Sequence, residues 1–585
     1  MFKVLSSITA FLLLCSFALP GFAAEPVEVV VEGVEDQVLD NVQLALALPP
    51  GLVQEEKANR LWLERFSKQA VEKVRTALEP FGYYNAQVTV VMESLEEERY
   101  RLRVKIVPGK PVRVDEVAVT LQGVGSKENQ LQGLVAAFPL QKGDKLLQQE
   151  YERAKSGLKS RAEELGYLDA DFSQHEIRIA PGETSAHINL SLETGERYLF
   201  NGTRIEGAPD YPALFLRRYL SFAPDDVFSY AALGETQLNF TNSERFKEVV
   251  VMPEKSEAKD FRVPVLVQLK QAPRRTLRPG IGYGTDTGAR FTIRYRDLNM
   301  FHKGHEFNSQ LYIAERLQGL AAGYIIPSYK DIRSSTTFQL NLQREEVDAY
   351  TSELIAMEAA RNRSFGKDNL GTAYLRLQQE EFTIGDQESS SRLVLPGLRF
   401  TRDRYDNFIH PTAGYRFSMD LRGTHQFIGS DTSLLQVIGE GSHLLPLPWR
   451  LSLHSRIRAG TTLFSDPLAD IPPTLRFFAG GDQSVRGYAY KSLGPTDDSG
   501  EVVGGKHIVT GSLELERAFF TNWGISIFHD AGNAINSLSN VKLFQGAGVG
   551  LHYYSPVGAL NLSVARQLGV DDPGYRIHFT VGFEF

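Results

Sequence analysis

The residues of this chain that could do chemistry are arranged to hold charge. The stretch Leu475 to Gly494 reads LRFFAGGDQSVRGYAYKSLG and lies in a long interval between two strand-like runs. Loops are usually small and polar. This one sets Phe477, Phe478, Tyr488 and Tyr490 around a Gly480-Gly481-Asp482 turn and carries Arg486 within Val485-Arg486-Gly487-Tyr488. Downstream come Ser512-Leu513-Glu514-Leu515-Glu516 and Phe528-His529-Asp530-Ala531-Gly532. On a strand, period two sends Leu513 and Leu515 to one face and Glu514 and Glu516 to the other. A guanidinium is a planar, permanently charged donor suited to carboxylates. Arg486 is therefore expected to meet Glu514 or Asp530 on neighbouring strands. Read singly, the loop is a surface hairpin and each acid a wet polar residue; read together, they are a candidate tie.

That tie is structural. No Gly-x-Ser-x-Gly elbow and no His-Glu-x-x-His helix occurs. The glycine runs Gly280 to Gly288 and Gly546-x-Gly548-x-Gly550 lie on strands with no helix after them, so they are not nucleotide loops. The expectation is a non-enzyme with no catalytic residues, no cofactor and no metal.

The elements that must position these residues begin with an export signal. Met1-Phe2-Lys3, an apolar run from Val4 to Leu19 and Pro20-Gly21-Phe22-Ala23-Ala24 read as a cleaved signal peptide over residues 1–24. The run is shorter than the roughly 20 residues a membrane helix needs. Cys15 is the only cysteine and lies inside it, so the mature chain is expected to lack thiols and disulfides. The formal net charge of -8 argues against nucleic acid as a partner. No later segment reaches about 18 consecutive apolar residues, so a membrane-spanning form has to be a closed barrel.

After the signal the chain repeats at a period of roughly 85 residues. A first unit has a strand at Val27 to Gly33, two helical patterns with the second from about Ala58 to Leu78, and strands at Gln87 to Met92 and Tyr100 to Val107. A second has a strand at Val112 to Leu121, a helix at Glu150 to Glu164, and strands near Phe172 to Ile179 and His187 to Leu192. Gly82-Tyr83-x-x-Ala86 answers Gly166-Tyr167-x-x-Ala170. A third unit has a degenerate turn, Ser243-Glu244-Arg245-Phe246, after a helix near Tyr230 to Asn242. The acidic run Glu96-Glu97-Glu98 reads as a solvated turn.

From about Thr276 segments of roughly ten residues alternate in polarity between turn clusters, and sixteen can be counted. Boundaries include Leu277, Ser391, Trp449 and Lys506 as strand starts. An even number returns both barrel ends to one side. The first strand, Leu277-Arg278-Pro279-Gly280-Ile281-Gly282-Tyr283-Gly284, is weakened by proline and three glycines, and its partner in the last strand carries Gly582. Pro279, Gly280, Gly282, Gly284 and Gly582 are expected to mark a seam able to open sideways; alternatively, the glycines admit bulky neighbours at the rim. The last strand alternates cleanly, with Tyr575, Phe579, Phe583 and Phe585 on the apolar face.

These motifs carry a family resemblance. The β-α-α-β-β units resemble polypeptide-transport-associated (POTRA) domains. Val485-Arg486-Gly487-Tyr488 resembles the Arg-Gly-Phe/Tyr motif in the sixth loop of the BamA/TpsB superfamily, and Phe528-His529-Asp530-Ala531-Gly532 is similar to its Phe-x-Asp-x-Gly motif. The turn from Arg402-Asp403 through Asn407 to Pro411-Thr412-Ala413-Gly414 resembles that family's Arg-Asp…Pro-x-x-Gly turn, and the aromatic end resembles its outer-membrane insertion signal. Three modules and the wording Leu475 to Gly481 look most like the TamA branch. BamA proteins carry five modules, and two-partner-secretion transporters carry two and a plug helix.

The resemblance implies an α+β set of POTRA modules at 25–110, 111–196 and 197–274 in the periplasm, and an all-β outer-membrane barrel at 275–585. It implies insertion or translocation of unfolded outer-membrane clients through a lateral gate into lipid, with a TamB-like partner docking on the first module. A BamA-like general assembly factor and a two-partner-secretion-type exporter are the alternatives.

Overall fold

In the computed structural model the described residues are 26–49, 52–54, 57–95, 99–180, 184–385, 387–406, 411–464, 468–520, 522–539, 541–555 and 558–584. The signal peptide with Cys15, Glu96-Glu97-Glu98, Asn407 and Phe585 lie outside them. Two compact units make up the chain. One runs to Gly202 and takes in 223–232 and 254–264; the other comprises 203–222, 233–253 and everything from Val265.

The first unit opens with β1 (Val27–Glu32), α1 (Asp36–Ala45), α2 (Arg60–Leu78), β2 (Gln87–Ser94) and β3 (Tyr100–Val107). β1 lies parallel to the central β3, and β2 antiparallel to it. α2 buries Leu63, Phe66, Ala70, Val74 and Ala77, the three- and four-residue spacing of one helix face. It starts two residues later than the pattern suggests, because Ala58 belongs to a short ladder and the Asn59 side chain caps the Trp62 N–H. The second module repeats this as β4 (Arg113–Gln122), α3 (Asn129–Ala136), α4 (Gln148–Glu164), β5 (Asp171–Ile179) and β6 (Ser185–Glu193), with β6 central.

The repeated Gly-Tyr turn is more than a helix stop. Gly82 (φ +80°) and Gly166 (φ +94°) both take the left-handed conformation that glycine tolerates. The Gly82 carbonyl accepts the Val112 N–H at 2.8 Å, and the Gly166 carbonyl accepts the Tyr198 N–H, also at 2.8 Å. Each turn thus grips the first strand of the following module. A Cβ at Gly82 would stand 2.8 Å from the Leu146 carbonyl oxygen, and one at Gly166 would stand 2.9 Å from the Val227 side chain. A cation covers each tyrosine: Lys145 over Tyr83 at 4.1 Å and Arg197 over Tyr167 at 5.8 Å.

The third module comprises β7 (Leu199–Glu206), α5 (Ala213–Arg217), α6 (Tyr230–Asn242), β8 (Phe246–Pro253) and β9 (Arg262–Gln271), with β9 central in its sheet. Its degenerate turn still takes the left-handed conformation, on Glu244 (φ +59°) instead of glycine.

The second unit contains a closed barrel of sixteen strands. They are β10 (Arg275–Gly284), β11 (Gly288–Met300), β12 (His305–Ala314), β13 (Leu317–Pro327), β14 (Ser335–Val347), β15 (Tyr350–Phe365), β16 (Asn369–Ile384) and β17 (Gln387–Tyr405). The remaining eight are β18 (Gly414–Thr424), β19 (Leu434–Leu447), β20 (Leu451–Phe464), β21 (His507–Ala518), β22 (Trp523–Ile535), β23 (Phe544–Ser555), β24 (Gly558–Leu568) and β25 (Tyr575–Glu584). The eighth begins four residues before Ser391. The eleventh begins at Leu451, because Trp449 and Arg450 take φ of +64° and +59° and form the preceding turn.

Third-module residues of this unit pack on barrel turns. Arg245 donates to the Gly304 carbonyl at 3.3 Å, Arg218 to the Asp331 carbonyl at 2.9 Å, and Arg296 pairs with Glu244. Tyr211, Phe215, Tyr219, Phe240 and Phe246 form a ring cluster beneath them.

Candidate functional site: the sixth loop and the closing seam

The long β20–β21 connection folds into the lumen, and its Arg486 is 4% exposed. The guanidinium donates through Nε and Nη2 to the two oxygens of Asp530, at 2.7 and 2.9 Å, and through Nη1 to Glu514 Oε2 at 2.7 Å. The Arg486 backbone N–H adds a third bond to Asp530, at 3.0 Å. Asp530 is fully buried, and the Phe528 ring lies 3.3 Å from the guanidinium carbon. Burying charges is tolerable only when they are paired and hydrogen-bonded, and here every oxygen of Asp530 is engaged. Both carboxylates named from the sequence meet the same arginine, Asp530 as a fork and Glu514 as a single contact.

The glycines of the wall make this approach possible. A Cβ at Gly546 would stand 1.9 Å from the Arg486 carbonyl oxygen, and one at Gly548 would stand 2.7 Å from the Phe528 ring. Val485 is fully buried, and Tyr488 meets Phe544 edge-on at 5.4 Å. Gly487 (φ +100°) is held at both ends: its N–H donates to His578 Nε2 at 3.2 Å, and its carbonyl accepts from Gln567 Nε2 at 2.9 Å. Val485-Arg486-Gly487-Tyr488 therefore rivets β21 and β22 to the last two strands, β24 and β25. The seam is not left to move independently of it.

Three further attachments carry no motif. Lys491 (φ +55°) donates to Glu345 Oε1 at 2.6 Å and to the Tyr350 hydroxyl, on β14 and β15. Thr474 donates to Glu380 on β16. Asp482 donates its N–H to Asp286 Oδ2 at 2.7 Å, and its own Oδ2 accepts from Thr580 Oγ1 at 2.8 Å. Period two places Glu345, Glu380 and Thr580 inward, but nothing local says which loop residue each receives. Gly481 (φ +96°) is required beside Asp482, since its Cβ would stand 2.6 Å from Asp286 Oδ2.

The seam is short. β10 pairs with β11 along its whole length, but with β25 only from Gly280 opposite Glu584 to Gly284 opposite Thr580. Among the described residues, Arg275 to Pro279 have a strand on one side only. Thr285 donates its N–H to Phe579 O, and Leu298 donates to Arg274 O. Alternation then turns the backbone groups of Tyr283, Ile281 and Pro279 toward β25, and those of Gly284 and Gly282 toward β11. Proline supplies no donor just past the last described pair, Gly280 with Glu584. On the lipid face Tyr283 packs on Phe579 at 6.2 Å, and Tyr575 is exposed.

Among the described residues no set of three His, Cys, Asp or Glu side chains is placed to hold a metal ion. The loop's contacts bind one part of the chain to another.

Comparison with known proteins fits this architecture. The Omp85 superfamily domain matches residues 299–585, the POTRA domain of TamA domain 1 matches 28–108, and a POTRA-type surface antigen variable number repeat matches 114–195. The chain is 24% identical over 540 residues to "Outer membrane protein assembly factor BamA" of Nitratidesulfovibrio vulgaris, covering 86% of this chain and 66% of that protein. It is 21% identical over 414 residues to the protein of the same name from Neorickettsia risticii, covering 65% of this chain and 54% of the relative. It thus spans less than two thirds of the length of either. Among solved structures, Haemophilus ducreyi BamA lacking POTRA domains 1–3 aligns with a TM-score of 0.65 at 19% identity, over 81% of this chain and 100% of that one. CdiB from Escherichia coli aligns at 0.50 and 13%, over 92% and 99%. These structural likenesses concern the fold.

Proposed function

This chain is an outer-membrane β-barrel of the Omp85 superfamily with periplasmic POTRA domains, and on that premise we propose that it is an assembly factor that inserts or translocates β-barrel and autotransporter-type clients through a lateral gate. The observation that carries the proposal is the half-paired seam. Among the described residues the ladder to β25 covers only Gly280 to Gly284, and a strand edge so lightly paired is a template for another strand. Backbone pairing and burial of apolar strands can drive such insertion without nucleotide. The TamA-type match of the first module supports the TamA branch and a TamB-like, inner-membrane-anchored partner docking there. Val485 to Tyr488 with Glu514 and Asp530 serve as latch, Pro279 to Gly284 with Gly582 as gate, and the aromatic last strand as the insertion signal.

Cysteines replacing the directly paired, lipid-facing Tyr283 and Val581 test the gate. Oxidation is expected to stop client assembly and reduction to restore it; a locked barrel that assembles clients at full rate rules the gate out. Crosslinking in cells from β1, Val27–Glu32, tests the partner. An exporter of unfolded polypeptide is the second reading, favoured by the likeness to CdiB in fold. It requires conductance through the lumen, which single-channel recording detects.

A further inference from the structure

Gly282 and Gly582 stand directly opposite each other across the seam, and Arg290 of β11 stands opposite Gly282 on the other side. All three face the lumen. The two missing side chains leave a trough, and the Arg290 guanidinium lies in it. A Cβ at Gly282 would stand 2.7 Å from its Nε, and a Cβ at Gly582 2.7 Å from its Nη2. The guanidinium reaches over β10 and donates to the Val581 carbonyl of β25 at 3.4 Å. The glycines that weaken the ladder are also the ones that let a third strand bridge it.

A second bridge crosses the same seam nearer its other end. Asp482 of the sixth loop holds Asp286, in the β10–β11 turn, through its backbone and Thr580 of β25 through its side chain. His578 of β25 presents Nδ1 to Asp482 Oδ1 at 3.8 Å, while its Nε2 accepts from Gly487. Among the described residues, Asp286 Oδ1 and His578 Nδ1 are buried without a hydrogen-bond partner.

We propose that Arg290 and Asp482 form a two-part clasp that keeps the barrel shut: the seam is closed as much by β11 and the sixth loop as by the β10–β25 ladder. The inference rests on the reading of the seam as a gate and adds what restrains it. A client strand that takes the β10 edge has to displace the Arg290 guanidinium from Val581 and separate Thr580 from Asp482. The second step ties seam opening to the sixth loop, because Asp482 follows the last strand only if the Gly480-Gly481-Asp482 turn moves too.

Amide hydrogen exchange resolved by residue tests the clasp in the full chain, reconstituted in vesicles of outer-membrane phospholipid. The amides of Ile281 and Tyr283 face β25, whereas those of Gly282 and Gly284 face β11. Arg290→Ala and Asp482→Ala are each expected to raise exchange at Ile281 and Tyr283 by about tenfold, on the scale of losing a hydrogen bond to a charged group. The double variant is expected to raise it further, with Gly282 and Gly284 unchanged. Gly582→Ala removes no bonding group and displaces the guanidinium, so it gives the same result if either deletion variant folds poorly. Unchanged exchange at Ile281 and Tyr283 in these variants overturns the clasp, whatever happens to clients. Raised exchange with client assembly left as it was keeps the clasp and overturns the gate.

Discussion

The α-carbon of Gly546 faces the carbonyl oxygen of Arg486 so closely that a methyl group placed there would stand 1.9 Å from that oxygen. The barrel wall and the inserted loop are thus fitted backbone to backbone, and the arginine's ion pairs depend on a residue that carries no charge. Gly546→Ala is expected to lift the loop off β23 while the barrel still forms. Overpacking of this kind costs about 1–3 kcal/mol, and proteolysis of the sixth loop on intact cells should become fast.

Arg486→Ala leaves Asp530 buried with no counter-charge. Loss of one partner from a buried pair costs about 3–5 kcal/mol, read as a lower urea midpoint for the barrel. Arg486→Lys keeps the charge and loses the fork, so it should fall between Ala and the parent. The Arg486→Ala, Asp530→Ala double variant should cost less than the two single changes added together. Additive losses would show that the two residues do not act as a pair.

At the module joints, Gly82→Ala and Gly166→Ala are each expected to cost about 1–3 kcal/mol, since a side chain at positive φ is strained and both sites are also crowded. The readout is limited proteolysis at the connections, near Pro108 to Val112 for the first and Thr194 to Tyr198 for the second. Gly143→Ala provides a control, because it also has positive φ but open space around its α-carbon.

The second joint should also be sensitive to acid. Hydrogen bonding from Lys255, at 2.7 Å, and then from the Tyr198 hydroxyl, at 2.6 Å, holds the Asp169 carboxyl below its ordinary range. A depressed carboxyl stabilises the fold above its unfolded-state pKa, and that stabilisation is lost as pH falls through the folded value. Protection of the Thr194 to Tyr198 connection is therefore expected to decline below about pH 4. Asp169→Asn should weaken the joint at neutral pH and flatten its acid dependence.

Much of this architecture could be read in the chain because strands and helices write their periods locally. The sixteen strands follow from alternation, and the Arg486 tie follows from an odd loop cation and two acids whose strand positions turn them inward. The seam glycines were legible as a weak ladder, but the space they leave belongs to Arg290, which sits on a different strand. Asp482 with Asp286 and Thr580, and Lys491 with Glu345 and Tyr350, join positions about one to two hundred residues apart. Their spacing in the chain is set by barrel closure, which no local pattern records. The third module hid its turn because Glu244 takes a conformation that the first two modules give to glycine.

The sixth loop is fastened to β14 and β15 through Lys491 and to β21 and β22 through Arg486, strands five and six against twelve and thirteen around a ring of sixteen. It is a strut across the diameter. A hoop braced in this way resists becoming oval, because flattening would stretch or buckle the brace. Deformation is then forced into whatever part of the rim bends most easily, and that part is the half-laced join between the first and last staves.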